Sequence, residues 1–274
     1  MTTLLNPPLT EAPQLDSALR DHGHAVLSAA GLRTLLPASS GELDALRPSW
    51  AELPPDAHMR DGGRYRRRRH SCFIVDGDAV ERVPHRAHWQ PLEYNALHGG
   101  LARWFEPMSD AVIAQPVWPR LLAALSAHCS AVRQPPGRHV AAAALREGDG
   151  GSRQSRASLQ GVQAWYVEAH QFRIDTTDGI GRPTPEGAHR DGVDFVAVLL
   201  IEREGIKGGE TRVFEADGPA GLRFTMTEPW TTLLLDDARV IHESTPIQPL
   251  AQGGHRDTLV LTFRSRGFQG PTAA

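Results

Sequence analysis

Cysteine is scarce in this chain. Cys72 and Cys129 are the only two, and they lie far apart. That excludes a disulfide framework and a Cys-based zinc site, and it suits a reducing, cytoplasmic setting. Long apolar runs are missing as well. No stretch of about twenty apolar residues occurs, so no membrane-spanning helix is expected. Met1–Gln14 lacks the basic start and apolar block of a secretion signal. The net charge of −3 gives no general electrostatic case for nucleic acid or an anionic membrane. Internal repeats and a long linker are also lacking. The 274 residues can bury a substantial core and are expected to form a single domain over 1–274.

Periodicity divides the chain. Helical patterns cover Glu11–His22, Gly41–Leu46, Pro91–Phe105 and Val117–Val132; in the last, Leu121, Leu122, Leu125 and Cys129 recur at helical spacing behind Trp118-Pro119. Arg64–Val75 begins basic and ends apolar, as a strand. After the break at Glu147–Ser152 the pattern turns mainly β. Candidate strands are Val162–Asp175, Phe195–Ile201, Glu210–Glu215, Leu222–Met226, Thr231–Leu235 and Thr258–Arg264, separated by Gly, Pro and Asp. Residues 1–150 then supply helical and strand support and a lid, and about 160–268 form the core. The expected fold class is mainly β with a helical N-terminal part, around a double-stranded β-helix (a cupin-like jelly roll) whose two sheets make a cupped cavity.

His189 and Asp191 stand two apart, so on extended backbone they share a face. Pro183, Pro185 and Gly187 precede them, and the buried run Phe195–Ile201 comes after. His242 lies later, beside Val240-Ile241 at another strand edge. Ligands at two strand ends converge if the strands face each other across a sandwich. Two imidazoles and one carboxylate occupy one face of an octahedral metal and leave the other open, a pattern suited to ferrous iron and oxygen. Arg256 and Thr258 share a face of the last strand. A planar guanidinium with a hydroxyl beside it matches the far carboxylate of a dicarboxylic keto acid.

Several other groups offer more than one reading. The basic run Tyr65–His70 feeds an apolar strand, which favours a solvated or substrate-facing strand over a phosphate-binding stripe; Arg66 and Arg68 share one face. In His170-Gln171-Phe172-Arg173, Gln171 and Arg173 share a face. They either enter the cavity or make a rim ion pair with Glu168 or Asp175. His22, His24, His85, His88, His98, His128 and His139 read as surface or capping histidines, since none pairs with cysteine at zinc spacing. Asp236-Asp237 either orients His242 through its other ring nitrogen or is only a turn. Gly208-Gly209 reads as a turn before a strand.

From about Gln163 to Phe268 the chain resembles the iron(II)/2-oxoglutarate-dependent dioxygenases. The string Pro185–Phe195, with Gly208-Gly209-Glu210-Thr211 and His255-Arg256-Asp257, is similar to the bacterial subgroup that hydroxylates free L-amino acids, the L-isoleucine hydroxylase type. The resemblance implies Fe(II) on His189, Asp191 and His242, 2-oxoglutarate on Arg256 and Thr258, and oxygen as co-substrate. It implies a free L-amino acid or cyclic imino acid as substrate, in natural-product biosynthesis. Arg66, Arg68 and Arg173 are the candidates for its carboxylate, and Gln171 for a contact with co-substrate or substrate. Asp194 or Glu168 is the candidate for its ammonium. Family halogenases carry a small residue in place of the carboxylate ligand, so Asp191 points to hydroxylation. A carrier-tethered substrate, desaturation or epimerisation uses the same chemistry. A non-enzymatic metal-binding β-domain or a nucleic-acid binder is the reading from another class.

Overall fold

The computed structural model describes residues 2–3, 6–95, 97, 99–134 and 163–271. Its strands are β1 Thr2–Thr3, β2 His24–Leu27, β3 Arg66–Asp76, β4 Ala79–Arg82, β5 Trp165–Asp175, β6 Phe195–Glu204, β7 Ile206–Gly208, β8 Thr211–Glu215, β9 Gly221–Phe224, β10 Thr232–Asp236, β11 Val240–Ser244, β12 Ile247–Pro249 and β13 His255–Arg264. Seven of them form an antiparallel sheet in the order β2-β10-β6-β13-β5-β3-β4. A second sheet has the order β1-β9-β8-β11, and β12 pairs with β7. The molecule is mainly β with N-terminal helices, around a jelly-roll-type core.

Alternation along the large sheet explains its two faces. On one side, Trp165, Val167 and Ala169 of β5 and Leu259, Leu261 and Phe263 of β13 join the helices in the main core. Those helices include α1 (Leu15–His22), α2 (Ala29–Leu35), α3 (Ser40–Asp44) and, after α4 (Asp110–Ile113), α5 (Val117–Arg133). From α5, Trp118, Leu121, Leu122, Leu125 and Cys129 are buried there. On the other side, Val196 and Leu200 meet Val213, Phe224 and Val240 of the small sheet, a second apolar cluster between the sheets. Toward the opposite end of the sandwich the apolar filling gives way to a polar cavity.

Several segments depart from expectation, among them α2, α4, β4, β7 and β12, to which periodicity assigned no element. Pro91–Phe105 is not a helix; its described residues make turns and loop. Gly99-Gly100 interrupts the pattern, and a Cβ on Gly99 would fall 2.5 Å from the Asn95 carbonyl oxygen. The segment spends its polar side chains on the cavity instead. His24–Leu27, to which periodicity assigned no element, is an added edge strand on β10. The break at Glu147–Ser152, the residue Val162, and His98 and His139 lie outside the described residues. No helix among the described residues is long and apolar enough to cross a membrane.

Candidate functional site

His189 and His242 do not converge across the sandwich as the sequence suggested. They sit side by side in one ladder, each donating its backbone N–H to the other's carbonyl at 3.1 and 3.0 Å. This pairing sets the rings 4.7 Å apart. Asp191, two residues on, reaches both: its carboxylate oxygens lie 3.8 Å from His189 Nε2 and 3.7 Å from His242 Nε2. The three ligand atoms lie within 4.8 Å of one another.

The chemistry of this donor set fits a divalent cation. His189 Nδ1 lies 2.9 Å from the Gly187 carbonyl and donates to it, so Nε2 keeps its lone pair toward the site. Burial, and secondarily His189, depresses His242 well below the ordinary imidazole range, which also keeps it a neutral ligand. Against burial, Asp191 and then Glu186 raise His189 above the ordinary imidazole range; two imidazoles and a carboxylate at these separations match the facial set of a non-haem ferrous site.

Asp191 is held from three sides. Asp237 accepts the backbone N–H groups of Asp191, Gly192 and Val193 at 3.0, 2.8 and 3.0 Å. Gln269 donates to the carbonyls of Asp191 and Gly192. Gln90 donates to Asp191 Oδ1 at 3.0 Å, while its own carbonyl oxygen accepts from Asn95 and Arg103. Burial and the Asp191 charge push Asp237 up to about 6. Asp237 therefore supports Asp191 and not His242, whose Nδ1 has no partner. Asp236 instead accepts from the Ala238 N–H. Sequence reasoning missed Gln90, Asn95, Arg103 and Gln269, because nothing local marks a loop amide that reaches a ligand across the fold.

The triad opens into a cavity of about 130 Å³ lined also by Arg66, Arg68, His88, Gln90, Arg103, His170, Phe172, Glu186, Arg256 and Thr258. Arg256 is buried, and its NH2 has no hydrogen-bond partner. Burial first, then Arg203 beside it, lowers Arg256 to about 10. A buried cation with an unused donor fits an incoming carboxylate. The Gly208-Gly209 turn makes room there: both residues have positive φ, and a Cβ on Gly209 would sit 3.0 Å from Arg203 NH1.

The basic run alternates. Arg66 and Arg68 face the cavity, while Arg67 and Arg69 pair outward with Asp175 and Glu106. Arg66 Nε donates to Asp56 at 2.7 Å. Arg68 lies between the rings of Phe105 and Phe172, 3.7 and 4.4 Å from their centres, and donates to His170 Nδ1.

Four expected substrate contacts are corrected. Gln171 and Arg173 lie on the helix-facing side of β5, the same side as Val167 and Ala169. Gln171 donates to Ser49, and Arg173 forks onto Asp257, its register partner on β13. Asp194 lies outside the cavity, accepting from Arg133 and from the Ser265 N–H and hydroxyl. Glu168 is buried, with Oε2 accepting from His70 at 3.0 Å and His88 at 2.7 Å. His88 is thus no surface histidine.

His70, His88, Glu168 and His170 have the spacing of a second metal group. The hydrogen bonds argue otherwise. Arg68 can only donate, so His170 Nδ1 is the acceptor and its Nε2, 3.8 Å from Glu168, carries the proton. The cluster is a hydrogen-bonded carboxylate beneath the cavity wall.

A family model described as 2OG-Fe dioxygenase matches residues 47–262. Among solved structures, a bsmA homolog from Methylobium petroleophilum PM1 is 50% identical, with a TM-score of 0.83, over 97% of this chain and 98% of that one. IDO from Bacillus thuringiensis shares 15% identity over 96% and 99% of the two chains, with a TM-score of 0.67. The Fe(II)/α-ketoglutarate-dependent dioxygenase TqaL shares 20% over 92% and 86%, with a TM-score of 0.62. The last two likenesses are of fold. No curated protein matches the chain.

Proposed function

The chain belongs to the 2OG-Fe dioxygenase family, and from that premise we propose that it hydroxylates an unactivated C–H bond of a free L-amino acid or cyclic imino acid, in natural-product biosynthesis. It is a 2-oxoglutarate-dependent dioxygenase using Fe(II), 2-oxoglutarate and O2. When bound, iron with 2-oxoglutarate and oxygen supplies the oxidising equivalent through decarboxylation to succinate.

In this reading His189, Asp191 and His242 hold the iron, and Arg256 with Thr258 holds the distal carboxylate of 2-oxoglutarate. Gln90 and Asp237 fix the direction of the Asp191 carboxylate. Phe172, Ile174, Val198 and Val260 give the cavity an apolar wall for a side chain and exclude water from it. Arg66 and Arg68 put positive charge on the cavity floor, where a substrate carboxylate is favoured.

The observation that carries the proposal is the placement of the triad and the unpartnered Arg256 in one small, arginine-rich cavity. The test is a panel of the twenty common amino acids with pipecolate and citrulline. Each is incubated with Fe(II), ascorbate and 2-oxoglutarate, and mass spectrometry reads the gain of one oxygen. Coupled succinate formation with any member supports the reading. Silence across the panel defeats the free-amino-acid reading.

A further inference from the structure

Glu186 is the unexplained group in the cavity. It stands three residues before His189, and its Oε1 is 3.6 Å from His189 Nε2. Its Oε2 is buried with no hydrogen-bond partner. A buried acceptor left unmatched carries its full desolvation penalty, so it calls for a ligand that completes it. Among the cavity-lining residues the carboxylates are Glu186 and Asp191, and Asp191 is committed to the metal. The other acidic groups near the wall are spent: Asp56 on Arg66, and Glu168 on two histidines.

The cations divide in the same way. Arg256 faces the Thr258 end and belongs to the co-substrate. Arg68 donates to His170 and is clamped by two aromatic rings; its Nε is unmatched too, but the rings hold the guanidinium in place. Arg66 and Arg103 remain, each with one committed arm and one spare. Arg66 uses Nε on Asp56 and leaves NH2 unmatched. Arg103 uses NH2 on Gln90 and leaves Nε unmatched. The two arginines and Glu186 line one cavity; Arg103 is lowered to about 10 by burial and then by Arg66, while Glu186 acts on it in the opposite sense. An anion docking there would relieve the repulsion between the two guanidinium groups.

From this we infer that the cavity reads a zwitterion, with the substrate carboxylate on Arg66 and Arg103 and its protonated nitrogen on Glu186. The inference rests on the amino-acid reading above and deepens it by naming the residue that selects nitrogen. It has two consequences. A thioester on a carrier has no free carboxylate and leaves both arginine donors unmatched, so free acids are selected over tethered ones. A secondary ammonium still donates to Glu186, so cyclic imino acids remain admissible, whereas an N-acyl group is refused.

The experiment uses the panel amino acid with the highest turnover, its N-acetyl derivative, its amide and the carboxylic acid lacking the α-nitrogen. Calorimetry measures their binding to enzyme loaded with Mn(II) and N-oxalylglycine. Wild-type enzyme is expected to bind the free amino acid at least tenfold tighter than the other three. Glu186→Gln is expected to weaken the amino acid about 10- to 100-fold and to shift the nitrogen-free acid less than threefold. Arg103→Lys is expected to weaken both. Equal weakening of amino acid and nitrogen-free acid by Glu186→Gln overturns the inference, as does no weakening of either. Loss of Mn(II) affinity in that variant assigns Glu186 to the metal and overturns it too. If amino acids are hydroxylated yet Glu186→Gln binds them normally, this inference fails while the function stands. If the nitrogen-free acid is the one oxidised, both fail.

Discussion

Asp237 carries Asp191 on its carboxylate: one oxygen takes the Asp191 N–H at 3.0 Å, and the other takes the next two N–H groups. A ligand on a turn is otherwise free to swing, and the metal's affinity depends on its not doing so. Groups behind metal ligands typically account for 10- to 100-fold in affinity. Asp237→Ala is therefore expected to weaken Mn(II) or Fe(II) binding by about that factor, read by titration. Asp237→Asn, which keeps one acceptor oxygen, should fall between. Unchanged metal affinity in both would show that the turn holds itself.

Gln90 makes the complementary contact from the N-terminal half, bridging Asp191 Oδ1 to Arg103 and Asn95. Gln90→Ala frees the carboxylate and removes the acceptor oxygen that Asn95 and Arg103 share. The expected result is uncoupling. Succinate should continue to form while hydroxylated product per succinate falls several-fold. A preserved product-to-succinate ratio would mean that Asp191 needs no orientation from this side.

Gly192 adopts φ +73°, and a Cβ there would lie 2.4 Å from the Tyr94 ring. Its N–H is held by Asp237 and its carbonyl by Gln269, so the backbone has little room to yield. Gly192→Ala pairs left-handed strain with a steric clash, each of order 1 kcal/mol or more. A lower Tm with weaker metal binding is expected. Tyr94→Ala in the same chain should recover part of the loss, because it removes the clash and leaves only the strain.

These supports also show what was legible in the sequence. The two-residue spacings of His189 with Asp191 and of Arg256 with Thr258 were readable because strand parity is a local property, whereas the pairing of His242 beside His189 in one ladder is not local and was not read. Most strand positions could be read from apolar runs such as Phe195–Ile201. What parity alone left undecided was which face of β5 looks inward. The apolar side of that strand packs on helices, so Gln171 and Arg173 turn with it away from the cavity, and His170 and Phe172 turn inward. Pro91–Phe105 has helical spacing, but its Asn95 and Arg103 brace Gln90, which reaches across the fold to Asp191, and these tertiary bonds override its local preference. Glu186 stands within the Pro185–Phe195 string, yet its missing partner is visible only in three dimensions.

Arg256 is buried with an unmatched NH2. Arg256→Ala is expected to raise the KM for 2-oxoglutarate by 50-fold or more, since a charge-assisted pair in a buried site contributes several kcal/mol. Arg256→Lys keeps the charge but loses the fork, and should recover only part of the affinity. Equal KM values for wild type and Arg256→Ala would move the co-substrate's distal carboxylate elsewhere in the cavity.

The buried cluster under the cavity predicts acid sensitivity with a defined sign. Burial lowers His88 from 6.5 to about 4, although Glu168 opposes the shift. The unfolded chain therefore takes up this proton first as pH falls. His88's contribution is complete above pH 6.5 and is lost between 6.5 and 4, about 3 kcal/mol at most. His70, also lowered by burial, acts in the same direction. Glu168 is held below the carboxylate range by His88 and His70 against the effect of burial, so its contribution is present above about 4.5 and is lost only at lower pH. Urea unfolding of metal-free protein at pH 7, 6 and 5 should show stability falling with acid. His88→Asn keeps an N–H donor where His88 Nδ1 meets Glu168 but does not titrate. The variant should show a clearly flatter decline over this window. If its slope equals that of the wild type, His88 is not the group that takes up the proton.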